Sequence, residues 1–146
     1  MNDAHVAALQ LDNQLCFPLY AASREVIKHY RPYLDQLGLT YTQYIVMLVI
    51  WEEKIVSVRD LGKRLHLDSG TLTPVLKTLE KNGLIIRRRS TEDERVLMVS
   101  LTAAGCALQQ QALFLPGVIA ERMGLTEAER VMLRQLLTKV LSASEE

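Results

Sequence analysis

The residues best suited to chemistry fall in three places. The run Ser69-Gly70-Thr71-Leu72-Thr73-Pro74, with Lys77 one turn further on, places small polar side chains and a cation directly after Asp68. Ser69, Gly70, Thr71 and Thr73 are small enough for a helix start to sit deep in a DNA major groove, near base edges and phosphates. Arg95, together with Arg88 or Arg89, offers charge to phosphates or a minor groove, with Asp93 available to orient Arg95. The third place is Cys16, which shares the chain with one other thiol, Cys106. In a reducing compartment these two are poor candidates for a structural disulfide, and with three His they make no metal-ligand spacing. No metal or cofactor is therefore expected. Taken singly, a cysteine on an amphipathic helix is more often an inert core residue than a reactive one.

The elements that must position these groups are legible in the periodicity. Leu15, Leu19, Ala22, Val26, Tyr30, Tyr33 and Leu37 recur at the helical period from Asn13 to Leu37, and Gly38 ends that helix. Pro18 is harmless near a helix start but would kink a helix that began as early as Asn13. Thr40 with Gln43 resembles a capping box opening a second helix through Tyr44 to Glu53. The competing reading for the β-branched and aromatic run Tyr44 to Trp51 is a buried strand. Ser57 with Asp60 starts a short helix to about Leu65, and Asp68 caps another from Ser69 to about Asn82, stopped by Gly83. Pro74 lies within the first two turns and argues for a start slightly later than the cap. Leu84 to Arg89 and Arg95 to Leu101 flank a polar stretch and read as a β-hairpin with a charged tip. Thr102 opens a further helix. The last helix, opened by Thr126 and Glu129, spaces Leu133, Leu136, Leu137, Val140 and Leu141 along one face.

With 146 residues, 49% of them hydrophobic and 23% charged, one domain spanning 1–146 is the expectation. The net charge is zero, but Arg59 to Arg95 holds nine basic and six acidic residues, a local +3 against −3 elsewhere. A basic middle between acidic flanks suits a central nucleic-acid surface with separate assembly elements, although such an excess is also common on solvated faces. The longest apolar run is far short of the roughly 20 residues that cross a bilayer. Met1 to Leu11 has no secretory pattern, so a cytoplasmic protein without membrane contact is expected.

Helix, turn, capped helix and basic hairpin, in that order, make a winged helix-turn-helix. Independent features in the right order are harder to produce by chance than any single motif. Asp93-Glu94-Arg95, followed by Val96 to Ser100 and Leu101-Thr102, closely resembles the wing signature of the MarR (multiple antibiotic resistance regulator) family. The resemblance covers nearly the whole chain and implies a mainly α fold with a small β-hairpin wing. It also implies a homodimer on palindromic double-stranded DNA, with 13–37 and 103–143 as helical dimerisation elements and 40–102 as the DNA-binding region. The terminal apolar stripes, which have no other obvious partner, agree.

Within that family, Leu15-Cys16-Phe17-Pro18-Leu19-Tyr20 resembles the N-terminal motif of the organic-hydroperoxide-sensing OhrR subgroup. Leu67 to Pro74, Glu92 to Arg95, Tyr30 and Thr40-Tyr41 resemble it as well. The resemblance implies that Cys16 is the peroxide-reactive thiol, that Tyr30 and Tyr41 are hydroxyl partners reaching across the dimer, and that Tyr20 lies near the same site. A thiolate attacking an O–O bond becomes a sulfenic acid, and apolar neighbours such as Phe17 and Leu19 favour an alkyl peroxide. Two-cysteine members carry a resolving cysteine beyond the stretch matching Leu115-Pro116-Gly117, where this chain reads Val118-Ile119-Ala120-Glu121. The one-cysteine type is expected, with a small thiol as possible partner after oxidation and Cys106 structural. Pro18 departs from the subgroup, where a helix former is usual. The competing functions are a MarR-type repressor relieved by a phenolic or carboxylate ligand, a thiol peroxidase, and a dimerisation module without DNA affinity. The wing and capped helix argue against the last two, so no enzyme is expected.

Overall fold

The computed structural model describes residues 3–145; residues 1, 2 and 146 of the expected 1–146 domain lie outside them. After a short helix α1 (Asp3–Ala7) and a 3₁₀ turn at Leu11–Asn13, the long helix α2 (Cys16–Leu37) begins. It starts three residues later than Asn13. That start places Pro18 in the first turn, where its missing N–H would have had no helical partner, so no kink is required. A second proline, Pro32, lies inside α2 without ending it, and its missing N–H is a gap in the helical bonding that the apolar periodicity does not reveal. Gly38, at a φ of 70°, closes the helix, and the Leu39 N–H returns to the Leu34 carbonyl at 3.0 Å.

Helix α3 (Tyr41–Glu53) settles the choice between helix and strand. Both halves of the Thr40–Gln43 capping box form, at 3.2 and 3.0 Å. Tyr44, Val46, Met47, Val49, Ile50 and Trp51 are all buried, so the helix is apolar around most of its girth because it runs through the core. Lys54, at a φ of 68°, turns the chain directly into a three-residue strand β1 (Ile55–Ser57) that the sequence does not announce. Helices α4 (Val58–Leu65) and α5 (Ser69–Lys81) follow, each capped as expected, by Ser57 and Asp68. Helix α5 starts at Ser69, not later: the Asp68 carboxylate accepts the Thr71 N–H at 2.7 Å, which fixes the first turn, and Pro74 is accommodated inside.

Strands β2 (Ile85–Arg89) and β3 (Leu97–Leu101) form the hairpin, and β1 pairs with the outer side of β3. The wing is therefore a three-stranded antiparallel sheet of order β1-β3-β2. Val99 pairs with Val56 on one side and Arg87 on the other, which puts Val99, Val56 and Ile85 toward the core. That core also contains Leu61 from α4 and Leu72, Leu76 and Leu79 from α5, each with at most 1% exposure. Full burial of an aliphatic side chain of this kind is worth roughly 1.5–3 kcal/mol.

Helix α6 (Ala103–Ala112) is capped by Thr102, and the first of two compact units, Met1–Phe114, ends just beyond it. The second, Leu115–Glu146, holds α7 (Leu115–Arg122) and α8 (Glu127–Ala143). Pro116 sits in the first turn of α7, and Gly124, at a φ of 70°, separates the two helices. The expected Thr126–Glu129 capping box is present at the start of α8. None of the residues of α8 is buried.

Candidate functional site

Helix α5 divides its residues cleanly between two faces. Leu72, Leu76 and Leu79 point into the core, while Ser69, Gly70, Thr71, Thr73, Pro74 and Lys77 are all exposed. The angle at which α5 leaves α4 is set by the turn between them. His66 takes the left-handed conformation, at a φ of 55°, and the Leu67 N–H bonds to the Gly62 carbonyl at 3.0 Å. A Cβ on Gly62 would stand 2.8 Å from the Leu67 carbonyl oxygen and 3.2 Å from Leu72, so only glycine allows this approach. Inside α5, Thr73 and Thr78 turn their hydroxyls back to the carbonyls of Ser69 and Pro74. The Thr71 hydroxyl joins its own N–H at the Asp68 carboxylate, and these bonds hold that carboxyl below its ordinary value.

The wing presents a second charged group. Arg95 is held by Asp93 in a forked contact, Nε to Oδ1 at 3.1 Å and a terminal nitrogen to Oδ2 at 3.3 Å. Asp93 also accepts the Arg95 backbone N–H at 3.0 Å, and these bonds keep its carboxyl below the usual carboxylate range. The Arg95 side chain is nevertheless 90% exposed, so its charge is aimed and solvent-facing at once. Ser90 shapes the tip by accepting the N–H groups of Glu92 and Asp93. Arg88 is exposed on β2.

Its neighbour Arg87 has another task, which the sequence alone does not show. The Glu80 carboxylate, near the end of α5, accepts the Arg87 backbone N–H at 2.8 Å and its guanidinium at 3.1 and 3.3 Å. These bonds hold the Glu80 carboxyl below its ordinary value and tie helix α5 to strand β2. The signal was a glutamate seven residues before an arginine across a helix-to-strand turn, too general a pattern to single out.

Tyr30 of α2 and Tyr41 of α3 meet with ring centroids 5.1 Å apart. Tyr44, which the sequence marks only as part of an apolar run, completes the group at 5.5 Å from Tyr30 and 6.3 Å from Tyr41. Burial, with the neighbouring phenols adding to it, pushes the Tyr30 hydroxyl up to about 12, so it stays a neutral donor throughout the physiological range. Burial raises Tyr41 too.

Cys16 and Tyr20 lie elsewhere. Cys16 is the first residue of α2 and exposed; Tyr20 is 59% exposed, with the Arg24 guanidinium 5.4 Å over its ring. Fourteen residues of helix separate Cys16 from Tyr30, a rise of about 21 Å, so one chain cannot bring this thiol to its own tyrosine pair. Phe17 and Leu19 beside it are exposed as well. Cys106, expected to be structural, is exposed on α6. Among the described residues no group of three His, Cys, Asp or Glu stands ready to hold a metal, and no helix is long and apolar enough to cross a membrane.

The family model described as transcriptional regulator SarA/Rot matches residues 28–111. The chain is 49% identical to the organic hydroperoxide resistance transcriptional regulator of Bacillus subtilis, over 88% of this chain and 85% of that one. It is 42% identical to the regulator SarZ of Staphylococcus haemolyticus over 90% of each. Among solved structures, AbfR of Staphylococcus epidermidis superposes with a TM-score of 0.78 at 36% identity, covering 97% of this chain and 99% of that one. Reduced AbfR bound to DNA superposes at 0.79, with 35% identity and the same coverage. MarR of E. coli complexed with operator DNA gives 0.77 at 29% identity, covering 87% and 93%.

Proposed function

Since the chain belongs to the MarR family of winged-helix transcriptional regulators, in its SarA/Rot branch, we propose that this DNA-binding regulator is a hydroperoxide-sensing repressor of the one-cysteine type. It works as a homodimer in the cytoplasm and leaves its palindromic operator when Cys16 is oxidised. The observation that carries the reading is the separation, about 21 Å along α2, of Cys16 from the Tyr30–Tyr41 pair. A second copy can bring its thiol to this pair where one chain cannot. Apolar side chains exposed in the single chain, Phe17 and Leu19 on α2 and, separately, Leu133, Leu136 and Val140 on α8, support such an assembly.

The chemistry needs no cofactor. The Cys16 thiolate attacks the O–O bond of an alkyl hydroperoxide; an S–O bond forms as the O–O bond breaks, and the leaving alkoxide takes a proton to become the alcohol. Sulfur is oxidised to the sulfenic acid and the hydroperoxide is reduced. The added oxygen displaces the tyrosine hydroxyls from sulfur, and the two DNA-reading units lose their spacing. A small thiol then condenses with the sulfenic acid, giving a mixed disulfide and water. Cys16 reports the peroxide and does not turn it over.

On DNA, the exposed face of α5 enters the major groove and Arg95 engages the backbone or minor groove. Similarity to AbfR and MarR, each solved on DNA, supports this placement. Operator binding by fluorescence anisotropy tests the reading, with wild type and Cys16→Ser each measured before and after one equivalent of cumene hydroperoxide. Wild type should release DNA and the variant hold it. Release by both, or by neither, refutes Cys16 as the sensor, and retention by both turns the reading toward a small-ligand effector. Sustained peroxide turnover with a thiol reductant would make the protein a peroxidase instead.

A further inference from the structure

The tyrosine group does not end at Tyr44. Two turns along α3, on the same face, Trp51 meets the Tyr44 ring edge-on with centroids 6.4 Å apart, and the two are 3% and 5% exposed. The Trp51 indole N–H donates to the Gly105 carbonyl at 2.8 Å, a buried bond between residues 54 apart in the chain.

Gly105 is itself pressed against the root of the wing. A Cβ there would collide with the Leu84 carbonyl oxygen and stand 2.6 Å from the Leu101 side chain, so α6 rests directly on the points where the hairpin begins and ends. Thr102 locks the same points. Its hydroxyl donates to the Gly83 carbonyl at 2.6 Å and accepts the Gly105 N–H at 3.0 Å, while its own N–H reaches the Leu84 carbonyl at 3.2 Å. The Leu84 N–H, in turn, caps α5 at the Leu79 carbonyl. The carbonyl that Trp51 holds therefore belongs to a node shared by the wing and the end of the recognition helix.

We propose that Tyr44 and Trp51 are positioning residues that carry the state of the Tyr30–Tyr41 pair to the root of the wing, an inference that rests on the hydroperoxide-sensing reading. When oxidation at sulfur moves the pair, Tyr44 cannot stay in place, because close-packed interiors pass displacement from side chain to side chain. Trp51 then shifts its hold on Gly105, and the wing and α5 turn together. Each protomer passes the signal through its own α3, independently of any change at the dimer contact.

The test uses the full-length protein and its operator, with Trp51→Phe, Tyr44→Leu and the conservative Tyr44→Phe. Kd is read before and after cumene hydroperoxide, and Cys16 oxidation is followed by intact mass. Wild type should lose about tenfold or more in affinity on oxidation, a usual size for such coupling. Trp51→Phe and Tyr44→Leu should oxidise at Cys16 as wild type does, yet keep after oxidation the operator affinity each has when reduced; Tyr44→Phe, which keeps the ring, should release DNA. Release by Trp51→Phe and Tyr44→Leu as complete as by wild type overturns the relay alone. Wild type that oxidises at Cys16 and keeps its DNA overturns the sensing reading, and the relay with it. Because Trp51 is the single tryptophan, its emission in the wild type decides the matter even if both variants fail to fold. A change on oxidation that parallels DNA release supports the relay, and unchanged emission overturns it.

Discussion

The winged region and the helix at the C-terminal end use their apolar residues in opposite ways. Helix α5 buries Leu72, Leu76 and Leu79 completely and leaves its polar residues outside. Helix α8 has a comparable apolar row, yet Leu136 is 56% exposed and no residue of the helix is buried. A leucine row thus means finished packing in one place and an offered surface in the other. Periodicity alone cannot tell them apart, because it records which side is apolar and not what covers it.

Truncation separates the two most sharply. Leu76→Ala should cost about 2–5 kcal/mol in chemical denaturation, independent of protein concentration. At Leu136 the same change should act through the second copy, so its effect on stability should grow on dilution; a concentration-independent loss of the same size would break the comparison. Placing Asp at both Leu133 and Leu136 should leave monomers by sedimentation and weaken operator binding by about 100-fold, as avidity is lost. A variant that stays dimeric would move the interface off α8. Within the winged region, Arg95→Ala should weaken operator binding by about tenfold and lower the salt slope by about one, with thermal unfolding unchanged. Unaltered binding would remove the wing from DNA recognition.

The smallest effect concerns pH. Glu80 titrates below its ordinary value of 4.5 because Arg87 bonds its charged form, so its contribution is complete above that value and lost as pH falls through the lowered one. Wild type should therefore lose denaturation midpoint faster than Glu80→Gln on acidification below about pH 5. Parallel pH profiles would mean that the link between α5 and β2 adds nothing to stability.

Much of the frame was readable because helix caps are local. Thr40, Ser57, Asp68, Thr102 and Thr126 each satisfy a backbone N–H three residues ahead, a relation contained in four consecutive residues. Strand β1 was not readable, because Ile55 to Ser57 becomes a strand only by pairing with Met98 to Ser100. Pro32 was missed for the complementary reason: apolar periodicity continues straight through it. At the candidate site the exposed residues of α5 were identifiable by type. Tyr44 and Glu80 were not, since their importance lies in ring and carboxylate contacts made across elements.

The two-faced character of α5 has a bearing on how such regulators diversify. Ser69, Thr71, Thr73 and Lys77 are exposed, while Leu72, Leu76, Leu79 and Gly62 fix the helix in its seat. On the proposed reading of DNA, operator preference and foldability are written in separate alphabets, the first on the outward side of α5 and the second on its inward side and the α4 turn before it. New binding sequences can be explored by exchanging the outward residues alone, and a designer could retarget the protein without reopening its interior.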